Sequence, residues 1–453
     1  MVALAVAAAA ATAPARAQTA CGHWQPLIEE LIGSIGTVPT RVSDLIVFDA
    51  GDGPMLYMAG NFEVVVDPVF GQVRAPGLAR FDGVRWSAVP GLDGPGLELD
   101  RRAIALEVFD DGSGPALYVG GEFGMAGGRE AVGIARWDGV EWSVLDGPGV
   151  PGRISRIYKL HAHDFGDGPM LYAAGVIYMG ERIPPEFIRR WDGMAWSSPG
   201  DERPLGGAAI EMASFGGDIY LTGEFNSIGA RPVPGIARFD GTAWTTPLGP
   251  DQSILSSQFR PLLFTEYDGR DVLAAGGIYE VFEGGERIAL SLAAWDGNRW
   301  DSLTKALPTT ILIPLALAAF DDGSGPALFV SASSIFGGLN VARVRDGVLT
   351  PLPPLAMGLV VELFVYDDGS GPVLLAGGGI FGSRPMATYL ARWVPDAPCR
   401  ADLDADCRLT FFDFLAFGNL FADGDLAADF DGDGELTILD FLAFQNAFDA
   451  GCQ

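Results

Sequence analysis

Cations are scarce in this 453-residue chain. Its 29 Lys and Arg face 58 Asp and Glu, the net charge is -29, and Lys159 and Lys305 are its two lysines. Nucleic-acid binding needs a basic stripe that neutralises phosphates, and with none to be found we expect no nucleic-acid partner. Long apolar runs are missing too: beyond the first residues the longest, around Ile311 to Phe320, is about half of what a membrane-spanning helix needs. Histidine is limited to His23, His161 and His163, and neither an HExxH pattern nor a Ser/His/Asp arrangement can be recovered. Cysteine is limited to Cys21, Cys399, Cys407 and Cys452. What is abundant is turn chemistry, with 62 Gly and 31 Pro.

The opening MVALAVAAAAATAPARA is small and apolar, and Ala15-Arg16-Ala17 fits an A-x-A cleavage site, so residues 1–17 read as a secretory signal peptide. The sequence Gln18-Thr19-Ala20-Cys21 lacks the apolar residue of a lipoprotein box. The expected mature chain is secreted, extracellular or cell-surface associated, with no transmembrane segment.

The body of the chain rewrites one phrase, GIARWDGVEW at 133 to 142, whose alternating apolar residues around Asp138-Gly139 predict a tight hairpin. Its turn aspartates recur as Asp82, Asp138, Asp192, Asp240, Asp296 and Asp346, a period near fifty. A second hairpin precedes each, as in AIALEVFDDGSGPALYVGGEF (103 to 123), giving four strands per unit and seven units. The seventh unit reaches TYLARWV (388 to 394) without a fourth strand. Cys21 to Leu27 supplies the candidate, with Trp24 in the place of Trp86 and Trp142, so the N-terminal strand is expected to close the ring.

The glycines ending the second strands (Gly120 and Gly121, Gly276 and Gly277, Gly377 and Gly378), followed by an aromatic hairpin, resemble the kelch class of β-propeller over residues 40 to 396. That resemblance implies an all-β, seven-bladed β-propeller over residues 18–396 and says little about activity. The recurring Trp and Phe read as inter-blade core, and Arg80, Arg136, Arg190, Arg238 and Arg343 as partners of turn carboxylates or carbonyls. The Asp-Gly turn lacks the serine and spacing of the sialidase Asp box. The Asp-rich first hairpins read as turns rather than Ca²⁺ sites, and His161 and His163 as packed or hydrogen-bonded, with His163 in the core. The galactose oxidase type of kelch propeller needs a tyrosine–cysteine crosslink that has no counterpart here.

Residues 399–453 are different in kind, with 12 Asp or Glu against Arg400 and Arg408. They duplicate at an offset of 27: ADLDADCRLTFFDFLAFGNLF and ADFDGDGELTILDFLAFQNAF. Carboxylates stand at loop positions 1, 3, 5 and 12 in both copies, namely Asp402, Asp404, Asp406 and Asp413, then Asp429, Asp431, Asp433 and Asp440. This spacing wraps Ca²⁺, with the carbonyls of Arg408 and Glu435 at position 7 and with Thr410 and Thr437 acting through water. Each loop should lead into a helix with an apolar stripe, Phe414, Phe417 and Phe421 in one and Phe441, Phe444 and Phe448 in the other, and the stripes should pack together. Cys407 holds position 6, where Gly normally makes the sharp turn, which weakens the first site.

The tail resembles a dockerin, closest to the GC-type dockerin-like anchors named for the terminal Gly-Cys, here Gly451 and Cys452. The resemblance implies two Ca²⁺ ions, EF-hand-like α-helical folding, and docking on a cohesin-like or other cell-surface protein. Cys399 with Cys452 is the favoured disulfide, leaving Cys21 with Cys407; the rival pairing is Cys21 with Cys399 and Cys407 with Cys452. The whole reads first as a non-enzymatic binding propeller displayed by its tail. The alternative is a glycan-active enzyme, hydrolase or lyase, because a propeller channel can hold a carboxylate pair that no linear motif announces.

Overall fold

The computed structural model describes residues 22–33, 40–89, 102–131, 133–145, 154–177, 186–200, 206–229, 231–304, 312–334, 341–355, 359–367, 369, 371–379, 389–395, 400–403 and 409–450. Residues 1–17, all four cysteines, Asp404, Asp406 and Arg408 lie outside them. The chain divides into two compact bodies, one of residues 24–320 and 327–393, the other of residues 394–453 with 1–23 and 321–326. The first is all-β and propeller-like; two short helices end the second. Among the described residues no helix is long and apolar enough to cross a membrane.

The strands form four-stranded antiparallel meanders in chain order. Arg102–Asp110, Pro115–Glu122, Ile134–Trp137 and Trp142–Val144 make one of them. The opening strands of the others begin at Arg41, Ile154, Ala209, Gln252, Leu312 and Leu359. In the last meander the fourth place, beside Leu390–Pro395, is taken by Gly22–Pro26. Its neighbour in space is the first meander, to which it is joined by the pairing of Arg41 with Gly379.

The aspartate of each WDG hairpin acts as a local acceptor. Asp138 Oδ1 takes the N–H groups of Val140 and Glu141 at 2.9 and 2.8 Å, and Asp82, Asp192, Asp240 and Asp296 repeat the arrangement. Gly139 then turns through a φ of 101°, which favours glycine. The strand residues flanking the turn face each other as a ring pair: Phe81 with Trp86 at 5.1 Å, Trp137 with Trp142 at 5.1 Å, Trp191 with Trp196 at 5.4 Å, Phe239 with Trp244 at 4.7 Å and Trp295 with Trp300 at 5.5 Å. The chain ends make the same pair, since Trp24 meets Trp393 at 5.2 Å while Leu27 N donates to Leu390 O.

Apolar cores fill the gaps between consecutive sheets. Tyr57 shares a core with Leu106, Phe109 with Leu160, Tyr172 with Met212, Tyr220 with Leu273, Leu292 with Leu328 and Phe329 with Leu363. Leu45 and Leu56 of the first sheet share a core with Tyr366 and Leu375 of the last.

The recurring glycines are explained by a close approach. A Cβ on Gly60 would collide with the carbonyl of Arg41, one on Gly121 with that of Arg102, and one on Gly175 with that of Arg156. Beside each contact the opening strand carries an extra residue, at Ser43 between Val42 and Asp44, at Ile104, and at Tyr158 between Ile157 and Lys159. Such a bulge re-aims the side chains that follow it.

Candidate functional site

The Asp-rich first hairpins are self-contained turns. Asp110 Oδ1 accepts from Gly112 and Gly114, and Asp49, Asp164 and Asp367 repeat this with their own glycines. Arg136 reaches Ser113 Oγ at 2.8 Å and Arg238 pairs with Asp218 at 2.6 Å, the turn-bracing role expected of these arginines. His163 departs from expectation. It is half-buried rather than core, because its Nδ1 and the Nε2 of His161 both lie 2.7 Å from Ser214 Oγ on the next sheet. Burial, with the charge of Lys159 adding, pushes His161 down to about 3, so it stays neutral in that bridge.

A cavity of about 370 Å³ opens where the first strands of the sheets converge, lined by Arg41, Asp44, Lys159, Glu211, Arg260 and Glu362 among others. Asp44, Lys159, Glu211 and Glu362 hold one repeat position, four residues before Phe48, His163, Phe215 and Tyr366. Each is preceded by a bulge, so four sheets aim a charge into one space. Lys159 Nζ lies 2.7 Å from Glu211 Oε1. Glu107 stands two residues further along its strand than the corresponding Ala105.

Crowding three carboxyl groups around one ammonium in a buried space works against their ionisation. Burial raises Asp44 to about 6 against the pull of Lys159, with the charge of Glu211 adding to the rise. Burial likewise raises Glu107 to about 7, and Glu362 well above the carboxylate range, where Asp44 and Glu211 add to it. Burial works against the charge of Lys159, yet Glu211 and Asp44 outweigh it and hold the ammonium above its ordinary range. Two of these acids also brace the sheets: Asp44 Oδ2 accepts from Leu106 N at 2.8 Å and Glu107 Oε1 from Ala162 N at 3.2 Å, each on the following sheet. Glu362 makes no such bond to the next sheet among the described residues. Carboxyl groups whose environments hold their pKa values apart are what acid–base chemistry requires.

None of these five residues belongs to a linear motif. The signal present in the sequence is that one repeat position holds Asp, Lys, Glu and Glu in four units and Ala or Leu in the others.

In the tail, the ligand oxygens of Asp429, Asp431 and Asp433 lie within 4.8 Å of one another. Gly432 N and Gly434 N donate to the two oxygens of Asp429, and Glu435 N donates to Asp433. Asp440 is fully buried and accepts from Asp431 N and Thr437 N. Of the predicted ligands in the first loop, the described ones are Asp402, Thr410 and Asp413. Asp413 matches Asp440 by accepting from Leu403 N and Thr410 N, and Thr410 caps the helix Phe411–Asp423. Thr437 takes the same place before Ile438–Ala450, accepting from Leu439 N. The phenylalanine stripes do meet, Phe417 stacking on Phe444 at 4.6 Å and Phe414 touching Phe448 at 4.6 Å. Arg400 donates to Phe430 O at 2.7 Å and covers the Phe430 ring at 4.4 Å.

No family model matches the chain, and no curated protein matches it. Among solved structures it is similar to an ancestral GH74 enzyme, with TM-score 0.41 and 12% identity over 82% of this chain and 50% of that one. It is also similar to a polysaccharide lyase, with TM-score 0.35 and 11% identity over 83% and 99%, and to an endo-arabinase from Bacteroides thetaiotaomicron, with TM-score 0.26 and 9% identity over 72% and 99%. The chain spans about half the length of the first of these.

Proposed function

We propose that this protein is a secreted glycan-cleaving enzyme, a seven-bladed kelch-like propeller closed by its N-terminal strand, with its acid–base site in the central cavity. The observation that carries this reading is the convergence of Asp44, Glu211 and Glu362 from three sheets around Lys159 in one cavity. Glu362, whose burial favours its protonated form, is the general acid that gives its proton to the glycosidic oxygen as the bond to the leaving sugar breaks. Glu211, ion-paired with Lys159, is the base that removes a proton, from water in hydrolysis or from the sugar carbon in elimination. Asp44 and Glu107, tied to neighbouring backbone, are positioning residues. A non-enzymatic binding propeller is the second reading, favoured by those same sheet-bracing bonds. Incubating the full chain with a panel of neutral and acidic polysaccharides and counting new chain ends separates the two, and no new ends on any of them would favour the binding reading.

We propose further that the tail is a dockerin-like domain that holds Ca²⁺ and attaches the enzyme to a cohesin-like or other cell-surface protein. The closeness of Asp429, Asp431 and Asp433 supports this for the second loop, with Glu435, Thr437 and Asp440 completing it. For the first loop, Asp402, Asp404, Asp406, Arg408, Thr410 and Asp413 are the matching set. The bound ion would neutralise clustered carboxylates and so couple metal binding to folding of this small body.

A further inference from the structure

The cavity has a second tier that the acid–base reading does not use. Arg41, Arg102, Arg156 and Arg260 hold one repeat position, seven residues before Phe48, Phe109, His163 and Tyr267. Arg41 and Arg260 line the same cavity as Asp44, Glu211 and Glu362. Along its strand Arg41 is three residues from Asp44, roughly 10 Å at most. The arginines sense one another: burial lowers the Arg41 guanidinium, and the charges of Arg102, Arg156 and Arg260 lower it further.

Their partners are unevenly shared. Glu122 serves both Arg102, at 2.8 Å, and Arg156, and Glu224 meets Arg260 at 3.2 Å. Among the described residues Arg41 makes no ion pair, and its Nε is buried without a hydrogen-bond partner. A buried guanidinium N–H without an acceptor costs free energy that a bound anion relieves. The acidic tier beneath asks for the opposite partner, a group rich in hydroxyl donors. An inorganic anion satisfies the first tier and is repelled by the second.

We propose that the cavity takes a carboxylate-bearing sugar chain, a polyuronate, with one sugar carboxylate on Arg41 and Arg260 and the glycosidic bond at Glu362 and Glu211. This rests on the glycan-active reading and names its substrate class. A cavity of about 370 Å³ is at the small end of ligand sites, which suits one or two sugar units held at the cleavage point.

The test uses the full chain carrying Glu362→Gln, so that binding is read without cleavage, in titration calorimetry at neutral pH. The probes are oligogalacturonate, oligomannuronate and oligoglucuronate, each as the free acid and as the methyl ester. The expected result is at least tenfold tighter binding of one free acid than of its ester, with affinity falling as salt rises. Arg41→Gln should remove that preference, and Arg260→Gln should do the same if the first variant does not fold. If none of the three acids binds more tightly than its ester, or if the preference survives both arginine substitutions, the inference is overturned. Acid-selective binding without any cleavage by the unsubstituted chain would sink the catalytic reading and leave the substrate class standing. Cleavage of a neutral glycan without acid preference would do the reverse.

Discussion

Glu107→Gln is the perturbation for which the structure gives the clearest sign. Burial lifts Glu107 from its ordinary 4.5 to about 7, with the charges of Asp44 and Glu211 adding, although Lys159 and the Ala162 N–H favour its ionised form. The folded protein therefore binds this proton more tightly than the unfolded chain does. Its stabilising contribution is present below about pH 4.5 and is lost as pH rises through about 7. A rise of that size corresponds to roughly 3 kcal/mol, and relaxation of the surroundings on ionisation reduces it to about 1–3 kcal/mol. Gln keeps an oxygen for the Ala162 N–H and cannot ionise. Equilibrium urea unfolding at a series of pH values should thus find the variant about 1–3 kcal/mol more stable than the parent near pH 8, with the advantage fading towards pH 5. A pH-independent offset between the two, or a variant less stable at every pH, would refute the reasoning.

Three further outcomes follow from particular contacts. Gly121→Ala drives a Cβ into the Arg102 carbonyl and should destabilise by about 1–3 kcal/mol in the same unfolding assay; an unchanged midpoint would mean the close approach is not real. Trp24→Ala removes the ring packed on Trp393 and the Nε1 donor to Pro353 O at 3.2 Å, which should lower stability by about 2–4 kcal/mol; no change in melting temperature would detach the N-terminal strand from the fold. In the tail, calorimetry should lose one of two Ca²⁺ sites in Asp431→Asn, Asp433→Asn, and retention of both would show that Asp429, Asp431 and Asp433 are not a ligand set.

The repeat was legible because its turn is a local contract. An Asp that accepts two N–H groups followed by a Gly at positive φ can be recognised without knowing anything distant, and the ring pair that flanks it is a cross-strand neighbour at fixed spacing. Trp24 could be aligned with Trp86 for the same reason, though 329 residues separate it from Pro353, which its indole reaches. The cavity was not legible. A bulge at Ser43, Tyr158, Ile210 and Val361 shifts the alternation, so simple period-two reading does not say that Asp44, Lys159, Glu211 and Glu362 point the same way. His163 was misplaced as core because its alignment with Phe48 and Phe109 says nothing of Ser214 on the next sheet. In the tail the carboxylate spacing was readable, but the spacing does not say that Asp413 and Asp440 are buried and accept the backbone N–H of Thr410 and Thr437 at the helix starts.

The central claim is that Glu362 and Glu211 cleave a glycan as acid and base, and its most direct test is chain-end release by the parent, Glu362→Gln and Glu211→Gln on one polyuronate. Ultraviolet absorbance of the products distinguishes elimination from hydrolysis. Both substitutions are isosteric; Glu211→Gln leaves Asp44 as the nearby anion for Lys159, and melting curves report whether each variant folds. The account predicts release by the parent and a loss of at least about 10²-fold in each variant with folding intact. Equal rates in all three proteins would contradict it.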